Sequence, residues 1–277
     1  MRNIRNCKRG LLNTGKSQCP LDLSHIVAAI VVEVGMNWPT DATASSIREA
    51  CHADRPNRLM PIMTFVEYAK EGGEAQASGQ GYGGVQVNSI SARTDTFTLD
   101  KYYPDLAASL SKAMNLPFEV FYVDENDVVY GRRVGDNLRG FPITTLYGNP
   151  TPHPTSSNPA TLTVSFAFEN ARDAIEDFDF IEHDFNLKDS LVSLTEVELV
   201  STATNKYKIV EKVGGLDLTS KYATIITASA TSVISGISAA TYDSENEVLT
   251  LTVSNGATPA LKAPSALYTA GIEGITP

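Results

Sequence analysis

Short runs in which apolar side chains alternate with polar or small ones recur along most of this 277-residue chain. The clearest run is Thr161–Phe168, in which Leu, Val and two Phe side chains fall on one face. A period of two is that of a β-strand with one buried face. The segments Phe118–Val123 and Val128–Tyr130, separated by the turn Asp124–Asp127, predict a hairpin. The chain is therefore expected to be mainly β.

Two segments depart from this pattern and predict helices. Pro104 stands where a first helical turn begins, and Leu106, Leu110 and Met114 follow at a spacing of four. The segment Ser45–His52 has the composition of a short helix behind a Thr/Ser cap. The expected fold class is therefore mixed, mainly β (α+β), with a β-sandwich or barrel-like domain and a flanking helix.

A glycine-rich segment separates two extended ones. Arg58–Tyr68 and Val85–Leu99 are strand-like, whereas Glu71–Gly84 between them contains six glycines and no apolar pattern. Such a stretch is flexible as an isolated chain. The three segments together predict a hairpin with a long tip that becomes ordered on a neighbouring molecule. The residues expected to form this assembly loop are Gly72, Gly73, Gly79, Gly81, Tyr82, Gly83 and Gly84.

The composition changes after about Leu194, where aromatic residues thin out and Thr, Ser, Ala and Val dominate. Segments such as Ala223–Val233 and Glu247–Ser254 are taken as short strands separated by turns. This pattern predicts an immunoglobulin-like (Ig-like) β-sandwich, although the Cys-Trp-Cys signature is missing. The expected organisation is a basic arm over residues 1–20, an assembly domain over 21–194 and an Ig-like domain over 195–277.

Charge is distributed unevenly around a formal net charge of −10. The first 20 residues carry five basic and no acidic side chains, whereas residues 160–277 carry 7 basic and 16 acidic ones. An acidic chain gains no affinity for nucleic acid by releasing phosphate counterions, so general DNA or RNA binding is disfavoured. The arm is expected either to dock on an acidic neighbouring surface or to be a frayed terminus. Its basic residues include Arg2, Arg5, Lys8 and Arg9.

An acidic run with interleaved phenylalanines covers residues 169–184. Its carboxylates could bind a hard cation, but the glycine of a calcium-binding loop is missing. The expected role is a solvated or channel-facing acidic surface. The residues assigned to that surface are Asp173, Glu176, Asp177 and Asp179.

Two glycine motifs match nucleotide-binding patterns without the context that those patterns need. Gly10–Ser17 fits G-x-x-x-x-G-K-[ST], but no apolar strand precedes it and Pro20 follows closely. Gly79–Gly84 fits G-x-G-x-x-G, but a strand rather than a helix follows. The cysteines lack the close pairs of a zinc site. No cofactor and no metal are therefore predicted. The three cysteines are Cys7, Cys19 and Cys51.

Catalysis is not expected from the remaining residues. The four histidines lie far apart in sequence, and neither a G-x-S-x-G elbow nor an H-E-x-x-H helix is present. No apolar run is long enough for a membrane-spanning helix, and no signal-peptide core follows the basic start. The chain is expected to be made in a reducing cytoplasm and to have no membrane partner. The histidines are His25, His52, His153 and His183.

These features together resemble the virion structural proteins of tailed bacteriophages, especially tail tube (major tail) proteins. The matching parts are the loop Glu71–Gly84, the helix Pro104–Met114 and the strands through Phe168, while Leu249–Leu267 is similar to the tails of decorated phage proteins. The resemblance implies a β-sandwich with a flanking helix and a long hairpin loop, forming stacked and usually hexameric rings. It also implies an acidic lumen through which DNA passes without specific binding.

The resemblance implies that the partners are other copies of the chain and further virion proteins, and that the chain is located in the virion. Three alternatives remain open. The chain could be another virion component, such as a neck or tail-completion ring or a capsid decoration protein. It could be a bacterial surface adhesin-type binding module, or it could be an enzyme with a closed pocket around His52 or His183.

Overall fold

The computed structural model describes residues 2–3, 23–79, 82–151, 153–154 and 159–277. The chain forms two compact units, of which the second is discontinuous in sequence. Unit 1 comprises Met1–Ala44 and Leu59–Leu191, and unit 2 comprises Ser45–Arg58 and Val192–Pro277. The sequence predicts one division near residue 195 and places all of residues 21–194 together. That expectation is wrong for Ser45–Arg58, which belongs to unit 2. This segment holds most of helix α1 (Ala44–Cys51).

Unit 1 contains a large sheet, a separate two-stranded hairpin and two helices. The helices are α2 (Pro104–Ala113) and α3 (Asp173–Glu176), and a 3-10 turn covers Lys188–Ser190. The strands are β1 (Arg2–Asn3), β2 (Ile26–Glu33), β3 (Met60–Met63), β4 (Phe65–Gly72), β5 (Ala75–Ser78), β6 (Gln86–Ile90), β7 (Arg93–Leu99), β8 (Phe118–Asp124), β9 (Val128–Val134), β10 (Asn137–Arg139), β11 (Phe141–Thr151), β12 (Thr161–Phe168) and β13 (Phe178–Glu182).

Strand β8 is the branch point of the large sheet. One edge of β8 pairs with β2, which also pairs with β3, while the other edge pairs with both β9 and β11. From β8 the sheet runs through β9, β13 and β1 in one direction and through β11, β12, β7 and β4 in the other. The sheet curls into a half-barrel. Its core is aromatic and aliphatic, with Phe97, Val120, Tyr122, Phe141 and Phe166 among its buried members.

Several predicted elements of unit 1 are present where the sequence places them. The predicted hairpin is β8–β9, the alternating run is β12, and the predicted helix is α2, which begins at Pro104. Helix α2 packs on β11, and its buried Leu110 lies against Gly148. The predicted mixed, mainly-β class is confirmed.

Unit 2 contains seven described strands, which are β14 (Thr195–Ala203), β15 (Lys206–Glu211), β16 (Ile234–Ser235), β17 (Ile237–Asp243), β18 (Val248–Val253), β19 (Ala260–Leu261) and β20 (Ile275–Thr276). Five of them form one principal sheet, in the order β17-β18-β15-β14-β20, and β16 pairs with β19. Strand β20 runs parallel to β14, whereas the other neighbours in the principal sheet are antiparallel. Besides α1, the helices are α4 (Thr219–Ala228), α5 (Ala230–Val233) and α6 (Pro264–Thr269).

The expected Ig-like β-sandwich is corrected by this arrangement. Helices α4 and α5 pack against strands of the principal sheet, where a sandwich would have its second sheet. Tyr222, Ile226 and Val233 from these helices share a buried cluster with Ile209 and Leu251 from the strands. Unit 2 is therefore a helix-on-sheet structure in the residues described.

The segment around α1 is bound into unit 2 by specific contacts. The Nε2 atom of His52 accepts a hydrogen bond from the backbone N–H of Gly274 at 3.0 Å, and the imidazole stacks on the ring of Tyr268 with centroids 4.4 Å apart. The Ser265 hydroxyl donates to the carboxylate of Asp54 at 2.7 Å. The inserted segment is thus part of the fold of unit 2.

Candidate assembly interface

A long hairpin leaves the large sheet of unit 1. Strands β4 and β7 continue into β5 and β6, which pair with each other from Ala75↔Ile90 to Ser78↔Gln86. All four residues of β5 and four of the five residues of β6 are exposed. The side chain of Tyr82 at the tip is fully exposed. We call this hairpin, residues 73–92, the arm, as distinct from the basic arm at the N-terminus. The arm is held by backbone pairing, and almost none of its described side chains packs against the rest of unit 1.

Glycine is required at the junction between strand β4 and the arm. Gly72 and Gly73 have φ values of +72° and +76°, in the left-handed region that favours glycine. A Cβ atom on Gly72 would lie 1.8 Å from the carbonyl oxygen of Ala92. The junction is closed by a 3.3 Å hydrogen bond from the N–H of Gly73 to that same carbonyl. These two glycines therefore define a bend.

The remaining glycines of the predicted assembly loop have a different setting. The hairpin predicted around Glu71–Gly84 is present, but its tip is shorter than expected, because Glu71 and Gly72 end β4 and Ala75–Ser78 form β5. Gly79, Gly83 and Gly84 lie at the tip near Tyr82, and Gly81 lies outside the described residues. The chain after Gly84 enters β6 rather than a helix, so the G-x-G-x-x-G match has no dinucleotide-binding context here.

Strand β4 forms one end of the large sheet. Among the described strands, β4 pairs only with β7, so its other edge presents unpaired backbone groups. The side chains of Val66 and Tyr68 on this strand are 65% and 46% exposed. Exposed edge strands with apolar side chains are templates for pairing with another chain. The molecule thus presents both an exposed arm and an open sheet edge.

The basic arm lies mostly outside the described residues, including Arg5, Lys8 and Arg9. Its first part is described at the level of the backbone: Arg2–Asn3 forms β1, which pairs antiparallel with β13 at Glu182 and Ile181. This short strand adds to the edge of the large sheet opposite β4. The P-loop match at Gly10–Ser17 also lies outside the described residues.

The predicted acidic surface is corrected for two of its four residues. The side chain of Asp179 is buried and accepts a hydrogen bond from Nε of Arg133 at 3.1 Å. Asp173 is also buried and forms an ion pair with Arg132 at 3.1 Å. Burial raises the pKa of Asp173, and the guanidinium of Arg132 opposes that rise. Both carboxylates are held inside the fold by arginines of the neighbouring strand β9.

Glu176 and Asp177 are the exposed members of the predicted acidic surface. Glu176 lies 3.9 Å from Arg172 one helical turn earlier in an exposed pair. Exposed pairs of this kind stabilise a fold very little. Of the predicted acidic surface, two residues are therefore exposed, at the end of α3 and just before β13.

A buried carboxylate that sequence reasoning did not single out is Glu119 on β8. Its side chain is inaccessible to solvent and forms ion pairs with Arg132 and Arg139. Only about a fifth of each guanidinium side chain is exposed, at 22% and 20%. A charge in a fully buried strand position must be paired to be tolerated. Glu119 therefore links β8 to β9 and β10 electrostatically.

A second buried pair lies in β7, close to the open edge. Arg93 donates to both oxygens of the fully buried Asp95 at 2.8 and 2.7 Å, and the hydroxyl of Tyr68 lies 3.3 Å from one of them. Burial and the nearby Asp95 carboxylate raise the pKa of the Tyr122 phenol well above its ordinary value. The Tyr122 hydroxyl has no hydrogen-bond partner in the described residues.

A sequence signal for this pair exists. Arg93 and Asp95 alternate in register with Phe97 and Leu99, so two charged residues share the face of a strand that carries its buried aromatic. Charges on the apolar face of a strand indicate a buried ion pair, because an isolated buried charge is strongly unfavourable.

His52 and His183, the two histidines considered for an enzyme pocket, belong to different units and each has a structural partner. His52 belongs to unit 2 and uses both ring nitrogens, since Nδ1 lies 2.7 Å from the carbonyl of Arg48 and Nε2 accepts from unit 2 backbone. His183 belongs to unit 1, where its Nε2 accepts from Nε1 of Trp38 at 3.2 Å. Burial lowers the pKa of His183, opposed by the carboxylates of Asp184 and Asp127. The predicted absence of catalysis stays a prediction.

No known family model and no curated protein matches the chain. Among solved structures, the chain is similar to the anti-feeding prophage cap, a tube-terminating cap seen by cryo-electron microscopy, at 9% identity with a TM-score of 0.27. The match covers 62% of this chain and all of that one. The longest helices in the described residues have ten residues, too few to cross a membrane.

Proposed function

We propose that this chain is a structural, non-catalytic subunit of a phage-type tail that assembles with copies of itself. The observation that carries the proposal is that one chain has both an exposed two-stranded arm and an open sheet edge. An arm on one subunit and an edge on the next make a head-to-tail contact, which generates rings or filaments. The resemblance to tail tube proteins in the sequence points to the same role.

The finer form of the proposal is a stacked, hexameric tail tube located in the virion and in contact with other virion proteins. DNA would pass through its lumen without specific binding, since the chain is acidic overall. Glu176 and Asp177 are the residues of the predicted acidic surface that could face such a lumen, because they are exposed. A double charge reversal, Glu176→Lys with Asp177→Lys, should leave ring formation unchanged and cause the tubes to retain short duplex DNA.

The assembly proposal is tested by shortening the arm without disturbing the sheet. Gly72 and Arg93 are paired residues of β4 and β7, so a two-residue Asn-Gly turn can join them in place of residues 73–92. Light scattering over a concentration series and negative-stain microscopy should show rings or tubes for the full chain and monomers for the shortened one. A ring order other than six would favour a neck or tail-completion component.

A matched control removes exposed apolar area elsewhere. Val213 and Leu216 in unit 2 are 51% and 58% exposed, comparable to the valines of the arm. Substituting both by serine should leave the assembly state unchanged. Equal assembly of the shortened and full chains would overturn the role assigned to the arm, and monomers at every concentration of the full chain would overturn self-assembly.

A further inference from the structure

A half-open cavity of about 370 Å³ lies in unit 1 between the start of β2 and the open-edge strand β4. Its walls are largely apolar and include several aromatic rings, among them those of Phe65, Phe97, Phe141 and Phe178, together with the charged residues Glu67, Arg93 and Asp95. The volume is within the range of about 300–1,000 Å³ over which proteins hold small ligands and side-chain anchors.

The polar groups of this cavity are incompletely satisfied. The carboxylate of Asp95 accepts two hydrogen bonds from the guanidinium of Arg93 and one from the hydroxyl of Tyr68. Tyr122 also lines the cavity, is 5% exposed, and has a hydroxyl without a hydrogen-bond partner in the described residues. A buried donor without an acceptor is unfavourable. The cavity therefore suits an apolar ring that carries a hydrogen-bond acceptor, as a phenol does.

The same chain displays such a group without a partner. Tyr82 at the tip of the arm is fully exposed, and Val85 and Val87 beside it are 73% and 60% exposed. Strand β4, which carries Tyr68, leads through the bend at Gly72 and Gly73 into β5 and towards the tip. Every residue of β5 is exposed, so the arm does not fold back on its own unit. A second copy of the chain is the molecule whose cavity this tyrosine can reach.

We propose that Tyr82 of one copy occupies the aromatic cavity of the next copy, where its hydroxyl accepts a hydrogen bond from the hydroxyl of Tyr122. The arm beside it adds to the open edge of β4, so that backbone pairing provides affinity and the cavity provides specificity. This inference rests on the proposed function, because it identifies the contact by which the copies assemble.

Assembly of four full-length chains tests the contact. Tyr82→Ser removes the anchor, and Ala174→Phe fills the cavity from the half-buried Ala174 on its wall. Each variant alone should remain monomeric where the wild type forms rings. Tyr82→Phe keeps the ring and loses only the hydroxyl, so it should assemble with an affinity reduced roughly fivefold.

Mixing the two defective chains gives a sharper result. Tyr82→Ser retains an open cavity and Ala174→Phe retains the tyrosine, so one of each should associate into a heterodimer that grows no further. If Tyr82→Ser assembles as well as the wild type, the inference is overturned while the proposed function stands. If the wild type stays monomeric at every concentration, the proposed function is overturned and the second-copy occupant with it.

The cavity itself is tested on the monomer with p-cresol, the free side chain of tyrosine. Saturation-transfer NMR should detect p-cresol bound to Tyr82→Ser, about tenfold weaker binding to a Tyr82→Ser chain that also carries Tyr122→Phe, and none when Ala174→Phe is added instead. Tyr122→Phe removes one oxygen atom and keeps the packing, so it decides the matter even if Ala174→Phe fails to fold. Equal binding to all three chains would overturn the phenol site.

Discussion

Replacing Glu119 by glutamine should destabilise unit 1 by about 2–3 kcal/mol. Removing one partner of a buried ion pair costs about 3–5 kcal/mol, because the remaining charge is left uncompensated. The lower figure applies here for two reasons. The guanidiniums of Arg132 and Arg139 are about one-fifth exposed, and Arg132 keeps its ion pair with Asp173. Glutamine has nearly the same shape, so the loss measures charge rather than packing.

The chain contains a built-in reporter for this measurement. Trp38 is its single tryptophan, lies buried in unit 1 and contacts Phe121 edge-to-face with ring centroids 5.2 Å apart. Its fluorescence therefore follows the unfolding of unit 1. With an m value of about 2.5 kcal/mol per molar urea, the expected loss lowers the midpoint by about 1 M.

The control for this prediction is Glu176→Gln, which removes a carboxylate from an exposed pair and should shift the midpoint by less than about 0.2 M. If Glu119→Gln shifts the midpoint no further than this control, the buried carboxylate is not a net stabiliser and the reasoning is refuted.

Three further predictions concern single residues. Burial lowers the pKa of His183 below its ordinary 6.5. The neutral imidazole therefore contributes its full stability above pH 6.5, and that stability is lost as the pH falls through the lowered folded-state pKa. The urea midpoint should fall on acidification, and it should fall less in His183→Gln. Gly72→Ala should destabilise the arm by about 1–3 kcal/mol, because its Cβ meets the carbonyl of Ala92 at a positive φ; faster amide exchange in residues 73–92 with unchanged tryptophan fluorescence would show this, and unchanged exchange would contradict it. Burial raises the pKa of the Cys51 thiol to about 11, so in a chain with its other cysteines replaced by serine we expect a thiol reagent to react only after urea is added.

The local sequence pattern predicts where strands lie in this protein better than it predicts what each segment packs against. Thr161–Phe168 and Phe118–Tyr130 form the predicted strand and hairpin because alternation and turn residues act over a few positions. Ala223–Val233, expected to be a short strand in a region rich in Thr, Ser, Ala and Val, is mostly helical. There Tyr222, Ala223 and Ile226 are buried on one helix face against the sheet of unit 2, and tertiary packing overrides the β preference of branched residues.

The candidate interface shows the same division. The arm follows from local glycine content, and the structure adds that Gly72 is fixed by a close contact with Ala92, which is 20 residues away in sequence. The acidic surface could not be resolved locally. Asp179 is paired with Arg133 across the β13–β9 pairing, and Asp173 in α3 is paired with Arg132 of β9. The placement of β9 beside both is set by the topology of the whole sheet.

The discontinuity of unit 2 has a consequence for how the protein is made. Residues 45–58 leave the ribosome more than 130 residues before Val192, so this segment waits for its packing partners until the last part of the chain has been synthesised. The same segment interrupts the sequence of unit 1, so the two parts of unit 1 must fold together although residues 45–58 separate them along the chain. A single proteolytic cut or gene fusion at residue 192 therefore cannot release unit 2 whole, and a C-terminal fragment would lack the His52 ring that stacks on Tyr268. Unit 2 therefore cannot be gained or lost as a single C-terminal segment, and its sequence must evolve together with that of unit 1.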